Sequence, residues 1–197
     1  MRVSIFNYGV GNLYSVQNAL KREGAKPQIT SDVRKLRAAD ALLLPGVGSF
    51  SEAANRLPKD EIHDLLKTGK PILGVCLGLQ LFFKSSDEGP GKGLALISGR
   101  VKRLPSTVKV PQIGWNVLKV RNRSELVEGV PDESWVYYVH SYYPDTQDDC
   151  IVATTDYGLE YACLIAKNNV YGSQFHPEKS GATGRIILQN FLRLVKR

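Results

Sequence analysis

Only three of the 197 residues are cysteine, Cys76, Cys150 and Cys163, and no two of them form a C-x-x-C pair. An odd count with no such spacing, and with no export signal, fits a reduced, cytoplasmic setting. No apolar run approaches the roughly 18 residues of a membrane span. Met1 to Ile5 leads straight into a strand pattern, so no signal peptide, lipid anchor or membrane association is expected. Internal repeats, low-complexity tracts and linkers are absent, so a single domain over 1–197 is expected, within the usual range of about 100–200 residues. The basic clusters Arg100 to Arg103 and Arg193 to Arg197 carry no interleaved aromatics, so a net charge of +7 does not signal nucleic-acid binding. Gly9-Val10-Gly11 follows a strand pattern, but Tyr14 stands where a dinucleotide fingerprint needs its third glycine. No cofactor and no metal site is expected.

What is present alternates between strand and helix periods. Arg2 to Tyr8, Lys26 to Thr30, Ala39 to Leu44 and Ile72 to Val75 read as strands. Leu13, Val16 and Leu20 share a helix face that Gly24 ends, and further helical turns run from Ser51 to Gly69 with a break near Pro58. Ser31 to Arg37 is polar. This alternation predicts an α/β fold, flavodoxin-like, with a mostly parallel central sheet flanked by helices. From Ser86 the texture changes to short β-rich runs: Val108 to Val110, Trp115 to Val120, Trp135 to His140, Ile151 to Thr155, Tyr161 to Ala166 and Val170 to Phe175. These predict extra antiparallel strands in the C-terminal half, with an Asn168-Asn169 hairpin turn. A final helix, Ala182 to Lys196, buries Ile187, Leu188, Phe191, Leu192 and Val195.

The chemistry concentrates at two places. Gly74-Val75-Cys76-Leu77-Gly78 is a G-x-C-x-G arrangement between a strand and a helix start, the cysteine form of a nucleophile elbow. The following helix N-terminus would favour the thiolate. A thiol nucleophile needs a base. Of the three histidines, His63 lies on a polar helix face and His140 ends an apolar strand as a core histidine would. His176 ends a strand at Pro177, and Glu178 lies two residues on, so an extended backbone would put both side chains on one side. Cys76, His176 and Glu178 thus form a candidate nucleophile, base and orienter.

Gly74 to Gln80 together with Gln174-Phe175-His176-Pro177-Glu178 resembles the class I, triad-type glutamine amidotransferases over nearly the whole chain. Asn7 to Leu13, Pro45 to Phe50, Gln112 to Asn116 and Tyr138 to Tyr142 resemble the glutaminase subunits of imidazole glycerol phosphate synthases within that class. Ser49 replaces the usual histidine after the Pro-Gly-x-Gly loop. The resemblance implies glutamine hydrolysis through a Cys76 thioester, with an oxyanion hole from Leu77, Val47 and Gly48. It implies glutamine positioning by Gln80, Gly46, Ser141 and Tyr142. It also implies ammonia delivery, within a heterodimer, to a separate (β/α)₈-barrel cyclase of histidine biosynthesis. No synthase sequence follows the glutaminase motifs, so that partner is expected in trans. Asn12, Gln112, Trp115 and Tyr137 are the interface candidates. A glutaminase subunit of another pathway and a non-catalytic assembly subunit are the alternatives.

Overall fold

A computed structural model describes residues 1–9, 13–147 and 149–196. The first half contains β1 (Arg2–Phe6), α1 (Leu13–Arg22), β2 (Lys26–Thr30), α2 (Val33–Ala38), β3 (Ala41–Leu44), α3 (Phe50–Arg56), α4 (Lys59–Lys67), β4 (Ile72–Val75) and α5 (Leu77–Gln80). The second contains β5 (Arg100–Arg103), β6 (Gln112–Val120), β7 (Ser134–His140), β8 (Tyr142–Asp145), β9 (Ile151–Asp156), β10 (Glu160–Lys167), β11 (Val170–Ser173) and α6 (Gly181–Leu194). Among the described residues, nine strands form one sheet in the order β2-β1-β3-β4-β11-β10-β9-β6-β7, and β5 pairs with β8 apart from it. The half from β2 to β11 is parallel and the half from β11 to β7 antiparallel, the mixed architecture expected.

The central strands are covered on both faces, which is why they read as unbroken apolar runs. In β3, Ala41 and Leu43 face one buried cluster while Leu42 and Leu44 face the other. Helix α1 covers the first face with Val16, Ala19 and Leu20, and α6 joins it with Ile187, Leu188, Phe191 and Leu192. Val195 lies just past α6 and is only partly buried. Helices α3 and α4 seal the other face through Phe50, Ala53, Ile62 and Leu65. Each fully buried Leu, Ile or Phe in these layers contributes roughly 1.5–3 kcal/mol.

Several local readings change. Ser31 to Arg37 is not merely polar: the Asp32 carboxylate accepts the Arg34 N–H and caps α2. Val108 to Val110 is no strand, because its Val108 N–H turns back to the Pro105 carbonyl at 3.3 Å and Pro111 offers no donor beyond it. The basic run Arg100 to Arg103 is itself a strand, β5, antiparallel to β8. The helix after the elbow is the single turn α5. Strand β11 pairs antiparallel with β10, as a hairpin about Asn168-Asn169, and then parallel with β4 on its other side. That insertion carries the C-terminal motif into the middle of the sheet. Among the described residues, no helix is long and apolar enough to cross a membrane.

Candidate active site

Cys76 follows β4 with φ 52° and ψ −106°, a left-handed conformation that a non-glycine residue adopts only under constraint. Such a residue carries about 1–3 kcal/mol of strain and persists when its surroundings overdetermine it. Here they do. The Cys76 N–H donates to the Ser173 carbonyl of β11 at 2.7 Å, and the Cys76 carbonyl accepts the Gln80 N–H at 3.1 Å. A Cβ on Gly78 would overlap the Leu44 carbonyl oxygen, so the elbow lies directly against β3. A Cβ on Gly46 would fall 2.8 Å from the Gly78 nitrogen and overlap the Leu77 side chain, so the Pro45 to Gly48 loop is pressed onto the elbow. Gly48 has φ +128°, and Val47 beside it is exposed.

His176 leaves β11 in extended conformation, and Pro177–Lys179 then forms a 3₁₀ turn. This turn, rather than the extended backbone expected, brings the pair together: His176 Nδ1–H donates to Glu178 Oε1 at 2.9 Å. Both side chains are almost fully buried. His176 Nε2 is buried without a partner of ordinary hydrogen-bond geometry and is the ring atom left for the Cys76 sulfur. Hydrogen bonds to a reacting group are commonly long or poorly aligned before substrate arrives.

Two buried histidines here are driven in opposite directions. Burial pulls His176 down, but Cys76 and then Glu178 outweigh it and hold the imidazolium up to about 10. Burial takes His140 down to about 4; the Tyr142 carbonyl opposes this and His176 adds to it. The linkage signs are therefore opposite. Stability tied to His176 is complete below its ordinary value of 6.5 and is lost as pH rises through about 10. Stability tied to His140 is complete above 6.5 and is lost as pH falls through about 4. In a Cys76→Ala variant the His176 titration midpoint, read from its ring-proton resonances, is expected to fall by more than about one pH unit. An unmoved midpoint would mean that the sulfur does not act on the ring.

The other expected site residues fall as follows. Gln80 is buried on α5, and its Nε2 donates to the Tyr142 carbonyl at 2.9 Å. Ser141 connects β7 to β8, with its carbonyl accepting the Leu104 N–H at 2.9 Å. On β6 and β7 the side chains alternate. Ile113, Trp115 and Trp135 are exposed, and Tyr137 meets Trp115 edge to face at 5.9 Å with Lys179 Nζ 5.8 Å above its ring. Gln112 must be corrected as an interface residue. It lies three positions from Trp115 and so faces inward, buried, where its side-chain amide meets the Tyr161 hydroxyl at 2.8 Å. Asn12 lies outside the described residues.

Some contributors escape a sequence reading. Glu88, in an apparent surface loop, accepts the Phe50 N–H at 2.7 Å and anchors the start of α3 behind the glycine loop. Gln174 reaches Cys76 Sγ, a placement that its two-residue spacing from His176 would have suggested. The Val139 carbonyl of β7 also lies 3.8 Å from Cys76 Sγ.

A strained cysteine elbow against a glycine loop, facing a carboxylate-held histidine, is the arrangement of a thiol-dependent acyl-transfer enzyme. The sequence model of the class I glutamine amidotransferases matches residues 4–195. The chain belongs to that family. Among its relatives is the imidazole glycerol phosphate synthase subunit HisH of Methanosarcina mazei, 50% identical, the alignment covering 98% of each chain. The subunit of the same name from Archaeoglobus fulgidus is 46% identical over 99% of this chain and 100% of its own. The solved structure of PurLQS from Thermotoga maritima superposes with a TM-score of 0.81 at 21% identity, covering 98% of this chain and 97% of that one, a likeness of fold.

Proposed function

We propose that the protein hydrolyses glutamine and passes the ammonia to a separate (β/α)₈-barrel cyclase, as the glutaminase subunit of an imidazole glycerol phosphate synthase. The Cys76 elbow facing the His176–Glu178 pair supports the chemistry, and the HisH relatives support the pathway. In this mechanism the Cys76 thiolate attacks the side-chain amide carbon of glutamine. The tetrahedral oxyanion takes hydrogen bonds from the Leu77 N–H and from a peptide N–H of the Val47–Gly48 segment. His176 gives its proton to the nitrogen as the C–N bond breaks, releasing ammonia and leaving a thioester. It then takes a proton from water, whose oxygen displaces the sulfur and releases glutamate. Glu178 keeps the ring in one tautomer. Gln80, Gly46, Ser141 and Tyr142 hold the amino acid in place. The lyase and cyclisation steps, giving imidazole glycerol phosphate and an aminoimidazole carboxamide ribotide, belong to the partner.

The exposed apolar face of β6 and β7 suits a protein partner, because contiguous exposed apolar surface of this kind marks interaction sites. Trp115, Tyr137, Ile113 and Trp135 lie on it. Val139 belongs to the same strand, pairs with Ile113, and presents its carbonyl to Cys76. Docking is thereby connected to the nucleophile through one strand. The glycine loop offers the gate, since losing one oxyanion donor costs roughly 10²–10³ in rate. Glutamate release is expected to be slow for the isolated chain and to rise by about 10²-fold or more when the cyclase and its nucleotide ligand are added. Equal turnover with and without that partner would refute gating. Stimulation by a different synthase instead would refute the pathway.

A further inference from the structure

The Tyr142 carbonyl accepts two side-chain hydrogen bonds, from Gln80 Nε2 at 2.9 Å and from His140 Nδ1 at 2.8 Å. A carbonyl can only accept, so it sets the direction of everything bonded to it. The Gln80 amide must present its NH₂ group there, and the second N–H of that group reaches Gln174 Oε1 at 3.1 Å. With its oxygen so occupied, Gln174 has only its NH₂ group to turn toward Cys76, and Nε2 lies 3.5 Å from Sγ. The relay is closed to water: Gln174 is 0% exposed, Gln80 4% and His140 6%. His140, kept neutral by burial, spends its one N–H on Tyr142, and its Nε2 lies 3.0 Å from the Tyr161 hydroxyl.

An N–H donor distinguishes the two states of a sulfur, because a thiolate is a far better acceptor than a thiol. The Val139 carbonyl, 3.8 Å away, has the opposite preference, since only an S–H can serve it. We propose that Gln174 is a catalytic residue whose amide N–H holds the Cys76 sulfur as thiolate, with Gln80 and the Tyr142 carbonyl as the positioning groups that keep that amide from turning over. A flipped Gln174 would point Oε1 at the sulfur and favour the thiol. Titratable groups whose charge acts on the sulfur include His176, just after β11, Tyr8, after β1, and Tyr161, on β10, and the Glu178 carboxylate lies behind the His176 ring. Both tyrosines are pushed above their ordinary range by burial and remain neutral, which leaves His176 as the one cation among them and Gln174 as the neutral donor beside it.

The proposal rests on Cys76 being the nucleophile of the amidotransferase reaction, and alkylation kinetics separate the two ideas. Iodoacetamide modification is measured across pH for the full chain, with Cys76→Ala as the blank for buried Cys150 and Cys163. In Gln174→Met, similar in size and without the donor, alkylation at neutral pH is expected to slow about tenfold, the worth of one hydrogen bond to a charged group, with the whole profile moved to higher pH. Gln174→Glu, which replaces the donor by a carboxylate, is expected to slow it further. In both, kcat is expected to fall more than KM changes. If either variant, folded by near-ultraviolet circular dichroism, has the wild-type profile, the proposal fails; loss of volume alone would not move a pH profile. Should alkylated wild-type protein still hydrolyse glutamine, Cys76 is not the nucleophile, and the amidotransferase reading fails whatever Gln174 does.

Discussion

Replacing Cys76 by alanine is expected to lower glutamine hydrolysis by more than about 10⁴-fold, because no other group can form the thioester. Stability is expected to respond differently to alanine and to glycine at this position. Alanine keeps a Cβ at φ 52°, so the strain of the elbow remains. Glycine removes the Cβ and should raise the unfolding free energy by about 1 kcal/mol or more relative to alanine. The comparison therefore reads two properties at one residue. An ammonia assay reports the lost nucleophile, and urea denaturation reports the released strain. Retained hydrolysis in either variant would sink the assignment of Cys76. Equal stability of the two would show that the backbone there is not strained.

A second large effect is expected at Gly78, whose added Cβ would run into the Leu44 carbonyl oxygen. Backbone cannot step aside as the end of a flexible side chain can. β3 or the elbow must move, and Gly78→Ala is expected to cost about 3 kcal/mol or more, with hydrolysis lost as well. Gly24 provides the control. It too is a glycine, at φ +79°, but nothing lies within 4 Å of its added Cβ. Gly24→Ala is expected to cost only the conformational penalty, about 1 kcal/mol, and to leave hydrolysis unchanged. If the two alanine variants unfold at the same urea concentration, close packing of the elbow on β3 is not what holds it.

How much of this was legible in the sequence depends on how local the cause is. The parallel strands announce themselves as short apolar runs, and α1 and α6 by their spacing, because burial of one face leaves a period. The elbow is legible because tight turns demand glycines at fixed offsets. His176 and Glu178 are legible as a pair, although the backbone that joins them is a 3₁₀ turn rather than an extended strand. Their contact survives either geometry at that spacing. By contrast, the spacing of Gln174 from His176 indicates its side but not the direction of its amide, which depends on Gln80 and Tyr142, residues remote in the chain, and no local pattern encodes such a relay of orientations. Glu88 escaped for the same reason: its partner, the Phe50 N–H, is 38 residues away. The inward side of Gln112 is legible too, since simple alternation sends it and Trp115 to opposite faces of β6.

The place of β11 has a consequence for how the protein comes into being. The strand lies between β4 and β10, and its Ser173 carbonyl receives the Cys76 N–H. While the chain is synthesised from its N-terminus, the strands through β4 are complete long before residues 170–178 emerge. Through that interval the edge of β4 that β11 will occupy is unpaired, and the thiol has neither its backbone acceptor nor its base. Contacts so distant in sequence are slow to form. The nascent chain thus carries a cysteine that cannot hydrolyse glutamine through this triad, and the capacity for that chemistry arrives only with the last strand.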